Sequence, residues 1–355
     1  MFAINQVDKT AAVQYNVAWH LARREQPAVS NESVPLILIT NDDGIHSPGL
    51  LAAAEAVHDL GEILVVAPKY QQTGAGRSTF AFDNVPVQEE HFTVRGQRVS
   101  AFSIEGTPVQ AVLYALVEVA ARKPSLTISG INYGENPGTG VTTSGTIGAA
   151  LEAAAFGIPS LAISLETAKE HHYDLSHDID FAVAAFFTRI FAQRLLSVKL
   201  PSDVDVLKIE VPEDATKQTP WRLTKLSRQR YFYPIKSGQP SSSGASTIDY
   251  EARVDYDALE PDSDIFALVK DRVVSVSPLS LDLSSRVDLS QLAQLLGPPK
   301  SLAPSSKRPH CPQRSFGPAP EIRRKCGAFR GRASCPRHTS LRRRGADHRG
   351  TPGPT

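Results

Sequence analysis

The sequence predicts an α/β fold, a doubly wound and mainly parallel sheet. Three observations predict it. Apolar runs of strand length recur along the chain, stretches of helical composition alternate with them, and polar glycine-bearing loops follow the runs. Strands that are apolar on both faces belong to a parallel sheet covered by helices on each side.

The elements follow in order. "VPLILIT" (34–40) is a β-branched apolar strand. "SPGLLAAAEAVHDLG" (47–61) is a helix with Ser47 as cap, Pro48 in the first turn and Gly61 as its close. "EILVVAP" (62–68) is a second buried strand. "TPVQAVLYALVEVAARKP" (107–124) is a helix between a Thr107 cap and a Pro124 stop. "SLTISG" (125–130) is a strand, "TIGAALEAAAFG" (146–157) a helix and "SLAISLE" (160–166) a strand. Residues 34–166 thus make the doubly wound unit. Beyond it, "DIDFAVAAFFTRIFAQRLLS" (178–197) is helical and "DVLKIEVP" (205–212) strand-like. "SGQPSSSGAS" (237–246) reads as a flexible loop and "FALVKDRVVSVSPL" (266–279) as a late hairpin or extended arm. "VDLSQLAQLLG" (287–297) is a final helix, and "MFAINQVDKTAAVQYNVAWHLARRE" (1–25) reads as a short amphipathic helix or frayed extension.

The chain has 355 residues and a net charge of +1, which conceals an asymmetry. Residues 300–355 hold 14 Lys and Arg against two acids, Glu321 and Asp347. Of the chain's 38 bases and 37 acids, that leaves 24 and 35 in residues 1–299. The tail, rich in Pro, Ser, Gly and Arg without apolar period, cannot bury enough surface to fold alone. All three cysteines, Cys311, Cys326 and Cys335, lie in it. A disulfide framework is excluded for the body, and a cytoplasmic setting fits. No apolar run approaches the ~20 residues that span a bilayer, and the first residues do not read as a secretory signal.

Chemistry concentrates at the strand ends, where open α/β sheets bind ligands. Asp42 and Asp43 end the first strand. Neighbouring carboxylates repel, so they read either as two oxygen ligands for a hard cation such as Mg²⁺ or Mn²⁺, or as a polar Asn-Asp-Asp-Gly turn. After the second strand, "TGAGRS" offers the Thr73 hydroxyl to a metal or phosphate; alone it is a simple loop. "SGINYGENPGTG" places Asn132 and Asn136 among glycines that let backbone approach a ligand. Ser144, Gly145 and Thr146 stand before a helix, either as an anion site or as ordinary caps. Metal oxygens beside an anion cradle suit phosphoryl chemistry.

The segments "NDDGIHSPGL", "VVAPKYQQTGAGRS", "EGTPVQAV", "SGINYGENPGTGVTTSGTIGAALEAAAFGIPSLAISLE" and "VSVSPLSLDL" together resemble SurE, the survival protein and stationary-phase nucleotidase family, across about 34–297. The resemblance implies hydrolysis of nucleoside 5′- and 3′-monophosphates, with short polyphosphate as a further substrate in some members. It implies a Rossmann-like sheet with a C-terminal β-hairpin or arm and helix used in oligomerisation, in a homodimer or homotetramer. It implies one divalent metal ion per subunit, Mg or Mn, on Asp42, Asp43, Thr73 and Asn132. Thr73 stands where the family usually has serine. Phosphate then falls to Ser144, Gly145 and Thr146, with Asn132 and Asn136 beside them, and proton handling to one aspartate, Asp42 being favoured. The implied layout is an extension at 1–33, a phosphatase domain at 34–297 and a basic tail at 298–355.

His46, His171 and His172 read as surface residues, and Tyr231, Phe232 and Tyr233 as packing at an arm or subunit contact, with stacking on a base as the alternative. The tail's charge offers contact to nucleic acid or polyphosphate, and the chain's rival reading is a non-catalytic nucleotide or nucleic-acid binder. A haloacid-dehalogenase-type phosphatase needs Asp-x-Asp after the first strand, and adjacent aspartates stand here instead.

Overall fold

The computed structural model describes residues 34–79, 85–236 and 248–297. The N-terminal extension, the serine-rich loop and the basic tail discussed above lie outside the described residues. The chain divides into two compact units after Ser285.

Twelve strands are described: β1 (Leu36–Thr40), β2 (Glu62–Pro68), β3 (Val87–Glu89), β4 (Phe92–Val94), β5 (Gln97–Ile104), β6 (Leu126–Tyr133), β7 (Ser160–Leu165), β8 (Val206–Val211), β9 (Trp221–Leu223), β10 (Phe232–Lys236), β11 (Ile248–Ala252) and β12 (Val274–Leu279). The helices are α1 (Pro48–Val57), α2 (Pro108–Tyr114), α3 (Gly145–Ala155), α4 (Ala182–Ser197), α5 (Asp264–Val269) and α6 (Leu289–Leu296).

The main sheet runs β3-β5-β2-β1-β6-β7-β8-β12-β9, with β4 paired on β5. From β5 through β8 every neighbouring pair is parallel. The chain leaves β1 toward β2 and β5, then returns to the other side of β1 as β6 and continues outward. This reversal creates a crevice beyond the carboxyl ends of β1 and β6, the place where such sheets take ligands.

The strand alternation explains why the sheet is covered twice. Ile37 and Ile39 of β1 join a core cluster with Leu50, Ala53 and Val57 of α1 and Phe187 and Phe191 of α4. Leu36 and Leu38 join another with Ala111 and Val112 of α2 and Ala149 and Ala153 of α3. Each fully buried Leu or Ile contributes about 1.5–3 kcal/mol relative to exposure, so a strand buried on both faces resists solvation along its length. A Cβ on Gly49 would stand 2.0 Å from the Ile131 carbonyl oxygen, which is how α1 comes so close to β6.

Thr107 and Gln110 form the expected start of α2, each side chain accepting from the other's backbone N–H, at 3.1 and 3.0 Å. The helix read over 107–124 is shorter: it ends at Tyr114 and Ala115–Val119 continues as a wider π turn. Ser47 precedes α1 as expected, but its buried hydroxyl makes no capping bond.

Residues 266–279 are not a hairpin or arm. Ser263 caps α5 by accepting from Phe266 N–H at 3.2 Å, and β12 enters the main sheet antiparallel to β8. β12 is buried at five of its six residues, and its Val-Ser alternation reads like a half-exposed arm until the strands that cover it are known. The antiparallel two-stranded ladder is β10–β11 instead. In the second unit, Asp288 caps α6, and Leu289, Leu292, Leu295 and Leu296 are exposed. Among the described residues no helix is long and apolar enough to cross a membrane.

Candidate functional site

The crevice opens on the turn after β1. Asn41 shapes that turn: its Nδ2 donates to Gly44 O at 3.0 Å and its Oδ1 accepts from Gly44 N–H at 3.2 Å. Gly44 has φ 103°, a backbone state that glycine adopts without strain. The turn carries Asp42 and Asp43 inward, leaving them 3% and 1% exposed. A solvated polar turn would leave them in water.

The start of α3 cups Asp42. The Thr146 hydroxyl donates to Asp42 Oδ1, and the backbone N–H groups of Gly145 and Thr146 also face this carboxylate. A Cβ on Gly145 would stand 2.7 Å from Asp42 Oδ2, so only glycine admits the contact. The anion at this helix start is therefore Asp42 itself, and the Thr146 hydroxyl, expected on phosphate, is spent on it. Asp43 is held separately. Its Oδ2 accepts from Tyr133 N–H and its Oδ1 from Gln71 Nε2, both at 3.2 Å. Gln71 Nε2 also donates to His172 O at 2.7 Å.

β6 supplies the third group. Ser129 pairs with Ala162 but Asn132 with Ser164, so β6 carries one extra residue and bulges before the crevice. Such bulges re-aim side chains beside functional sites. The Asn132 amide nitrogen donates to Tyr133 O at 3.1 Å and Gly134 O at 2.6 Å, which leaves the amide oxygen on the opposite side of the planar group. Thr73 is exposed on a loop fastened to the site at both ends: Gln72 N–H donates to Asp42 O at 2.6 Å and Gly76 N–H to Thr143 O at 2.9 Å. Ser144 caps α3 by accepting from Ile147 N–H at 3.3 Å, so its hydroxyl hydrogen stays available. Asn136 is committed elsewhere, its Nδ2 donating to Ser164 Oγ at 3.2 Å.

The electrostatics of the aspartate pair are unsettled without a cation. Burial raises the Asp42 carboxyl from its ordinary 3.8 to about 6, against the bonds from Thr146 and Gly145. Burial, then the charge of Asp42, holds Asp43 well above the usual carboxylate range. No described lysine or arginine forms an ion pair with either. Two buried carboxylates without a positive partner are hard oxygen donors that suit Mg²⁺ or Mn²⁺, and the amide oxygen of Asn132 and the hydroxyl of Thr73 are donors of the same hard type. No group of three or more His, Cys, Asp or Glu is placed to hold a metal among the described residues, so a cation here would need neutral oxygens such as those of Asn132 and Thr73 beside the two carboxylates.

The chain matches a known family. The Survival protein SurE family model matches residues 37–233. A protein of Thermococcus gammatolerans named 5′-nucleotidase SurE is 40% identical over 260 residues, covering 73% of this chain and 95% of the relative. The chain belongs to the SurE family. An Archaeoglobus fulgidus family member of the same name is 39% identical over 254 residues, covering 71% of this chain and 94% of the relative. The crystal structure of the SurE protein from Aquifex aeolicus aligns with a TM-score of 0.58 at 28% identity, covering 74% of this chain and all of that one. The matched span carries Asp42, Asp43, Thr73, Asn132 and Ser144 together.

Other expectations fare differently. His46 is exposed, as read. His172 is not a surface residue: it is buried, with its ring nitrogens on the Tyr250 hydroxyl at 2.8 Å and Thr167 O at 3.2 Å. The polar linker 167–173 folds back against the β10–β11 ladder, where Phe232 and Tyr250 pack on the His172 ring. Sequence reasoning missed Gln71, Asn41 and the Lys208–Glu210–Asp264 ion cluster. Lys208 and Glu210 did leave a signal, since two charges at i, i+2 share one face of an otherwise apolar strand.

Proposed function

We propose that this chain hydrolyses nucleoside 5′-monophosphates to nucleoside and phosphate, with one divalent cation held by Asp42, Asp43, Thr73 and Asn132. It is a phosphoric monoester hydrolase of the 5′-nucleotidase kind. The observation that carries this reading is the pair of buried carboxylates without a cationic partner, set at the crevice where the strand order reverses. The relatives named 5′-nucleotidase SurE support the substrate class.

When bound, a divalent cation supplies positive charge to screen phosphate and lowers the pKa of a water molecule. The chain's own residues do the positioning. Thr146 fixes the orientation of Asp42, while Gln71 and the Tyr133 N–H fix Asp43. Ser144 donates its free hydroxyl hydrogen to a phosphate oxygen. Asn136 secures its loop through Ser164 and so sets the reach of Asn132. Proton handling falls to Asp42, where a proton taken up stays within hydrogen-bond reach of Thr146.

Phosphate release from 5′-AMP and 3′-AMP tests the reading. Turnover of 5′-AMP is expected with Mg²⁺ or Mn²⁺, lost in EDTA and regained when the metal is returned. Tight nucleotide or RNA binding with no turnover under any divalent ion would favour the non-catalytic binder. We also propose a homodimer or homotetramer, which light scattering reads directly.

Gly145→Ala isolates the contact between α3 and Asp42. The added methyl must displace the carboxylate or the helix start, at a cost of roughly 1–3 kcal/mol. A shift near 1 Å in a reacting site lowers turnover about a hundredfold. Parallel thermal melts and AMP assays on Gly145→Ala and Gly140→Ala check this, because a Cβ on Gly140 meets nothing within 4 Å.

A further inference from the structure

We propose that Glu135 is a proton-dependent latch: its carboxyl must be neutral for residues 132–138 to stay seated, so loss of that proton unseats Asn132 and disassembles the site. The inference deepens the phosphomonoesterase reading and rests on it.

Glu135 lies on the loop between Asn132 and Asn136 and is only 6% exposed. Its Oε2 has no hydrogen-bond partner. The groups around it come from several elements. Glu166 follows β7, Glu210 lies on β8, the Tyr231 hydroxyl precedes β10, Tyr250 lies on β11, and Lys208 faces the same loop from β8. Two of these are carboxylates, and the nearby cations are already committed. Lys208 Nζ is shared between Glu210 at 3.0 Å, Asp264 at 2.9 Å and Asn136 O at 3.1 Å. Arg272 grips Glu166 with both terminal nitrogens, at 3.0 and 2.6 Å, and also holds Asp214. Burial lowers the proton affinity of the neighbouring His172, which keeps it neutral. No described cation remains for a third carboxylate.

The loop is fastened into the same cluster. Asn136 N–H donates to Glu210 Oε2 at 3.0 Å and Gly138 N–H to Asp264 Oδ2 at 2.9 Å. An ionised Glu135 would sit among Glu166 and Glu210 on that short tether. The relief available to it is to swing outward into water, carrying residues 134–138 along and pulling on Asn132 at the end of β6.

Burial, with the charges of Glu166 and Glu210, pushes the Glu135 carboxyl from 4.5 up to about 8. The seated loop therefore holds a proton that a released loop gives up. Seating is firmest below about 4.5, weakens as pH rises from there, and is lost as pH passes through about 8.

The test compares wild type with Glu135→Gln, which keeps the shape and stays neutral. In wild type, kcat/KM for AMP should fall about fivefold from pH 8 to pH 9 relative to Glu135→Gln, as the protonated share of a carboxyl near 8 drops from about a half to about a tenth. Ionisations at the metal are common to both proteins and cancel in the ratio. A second readout needs no turnover: hydrogen–deuterium exchange of metal-free protein across 131–140. At pH 9 wild type should exchange faster there than Glu135→Gln, with β1 unchanged in both. Superimposable pH profiles together with equal loop exchange would overturn the latch. Absence of phosphate release at every pH would overturn the enzymatic reading, and exchange would still decide the latch. If Glu135→Gln does not fold, wild type alone decides. Loop protection lost between pH 7 and 9, corrected for intrinsic exchange, supports the latch, and unchanged protection overturns it.

Discussion

Asp43→Asn is expected to lower AMP turnover about a thousandfold while leaving the metal-free fold as stable as before or more so. The rate loss follows from removing one of two charged oxygens that face the cation. Losing about 4 kcal/mol of transition-state stabilisation is a thousandfold in rate. The stability result follows from the cost the native carboxylates carry. Both Asp42 and Asp43 are raised above their ordinary value by burial, Asp43 further by the charge of Asp42. A carboxyl raised on folding holds a proton that the unfolded chain releases. The metal-free protein therefore loses stability as pH climbs from about 3.8 through the folded values, near 6 for Asp42. The amide that replaces the carboxyl cannot ionise, so the variant's melting temperature in EDTA should depend less on pH across that window. Adding Mn²⁺ should raise the melting temperature of wild type and leave the variant nearly unmoved. Near-normal turnover in Asp43→Asn would refute the ligand assignment.

Lys208→Met is expected to destabilise the protein by about 3–5 kcal/mol, a fall in melting temperature of roughly 10 °C. Lys208 is 1% exposed, on the central part of β8. Burial alone would strip its charge, but Asp264 and Glu210 more than offset that and hold it above the usual lysine range. Methionine fills the same volume and leaves two buried carboxylates unpaired. Asp264 also receives Gly138 N–H and Ser227 N–H, each at 2.9 Å, so the damage spreads to the site loop. Turnover should fall with stability. The double variant Lys208→Met with Glu210→Gln should regain part of both, because one orphaned charge is gone. Differential scanning calorimetry on the three proteins measures the coupling, and a single variant as stable as wild type would show that the cluster does not hold the loop.

Much of the fold was legible because parallel strands and their covering helices are written in local pattern. "LILIT" and "EILVVAP" are apolar at successive positions because both faces are covered, and Thr107 with Gln110 marks the start of α2 in the sequence itself. The aspartate pair drew notice because adjacent carboxylates repel, but its burial, which sets the solvated turn aside, came only with the fold. The region 266–279 was not legible as a helix and an inner strand, because its partner β8 lies more than sixty residues earlier. His172 was misread as surface because its cover, Phe232 and Tyr250, arrives from a distant ladder.

By itself, the sequence determined that the chain folds as a doubly wound α/β unit and carries oxygen-rich loops at its strand ends, since those properties depend on neighbours within a few residues. Tertiary structure alone decided that Thr146 serves Asp42, that Gln71 serves Asp43, and that Lys208 and Glu135 sit buried around the site loop. The Gln71–Asp43, Lys208–Asn136 and Thr146–Asp42 contacts join residues 28 to 104 positions apart, and burial changes what each charge costs only once the sheet has assembled around it.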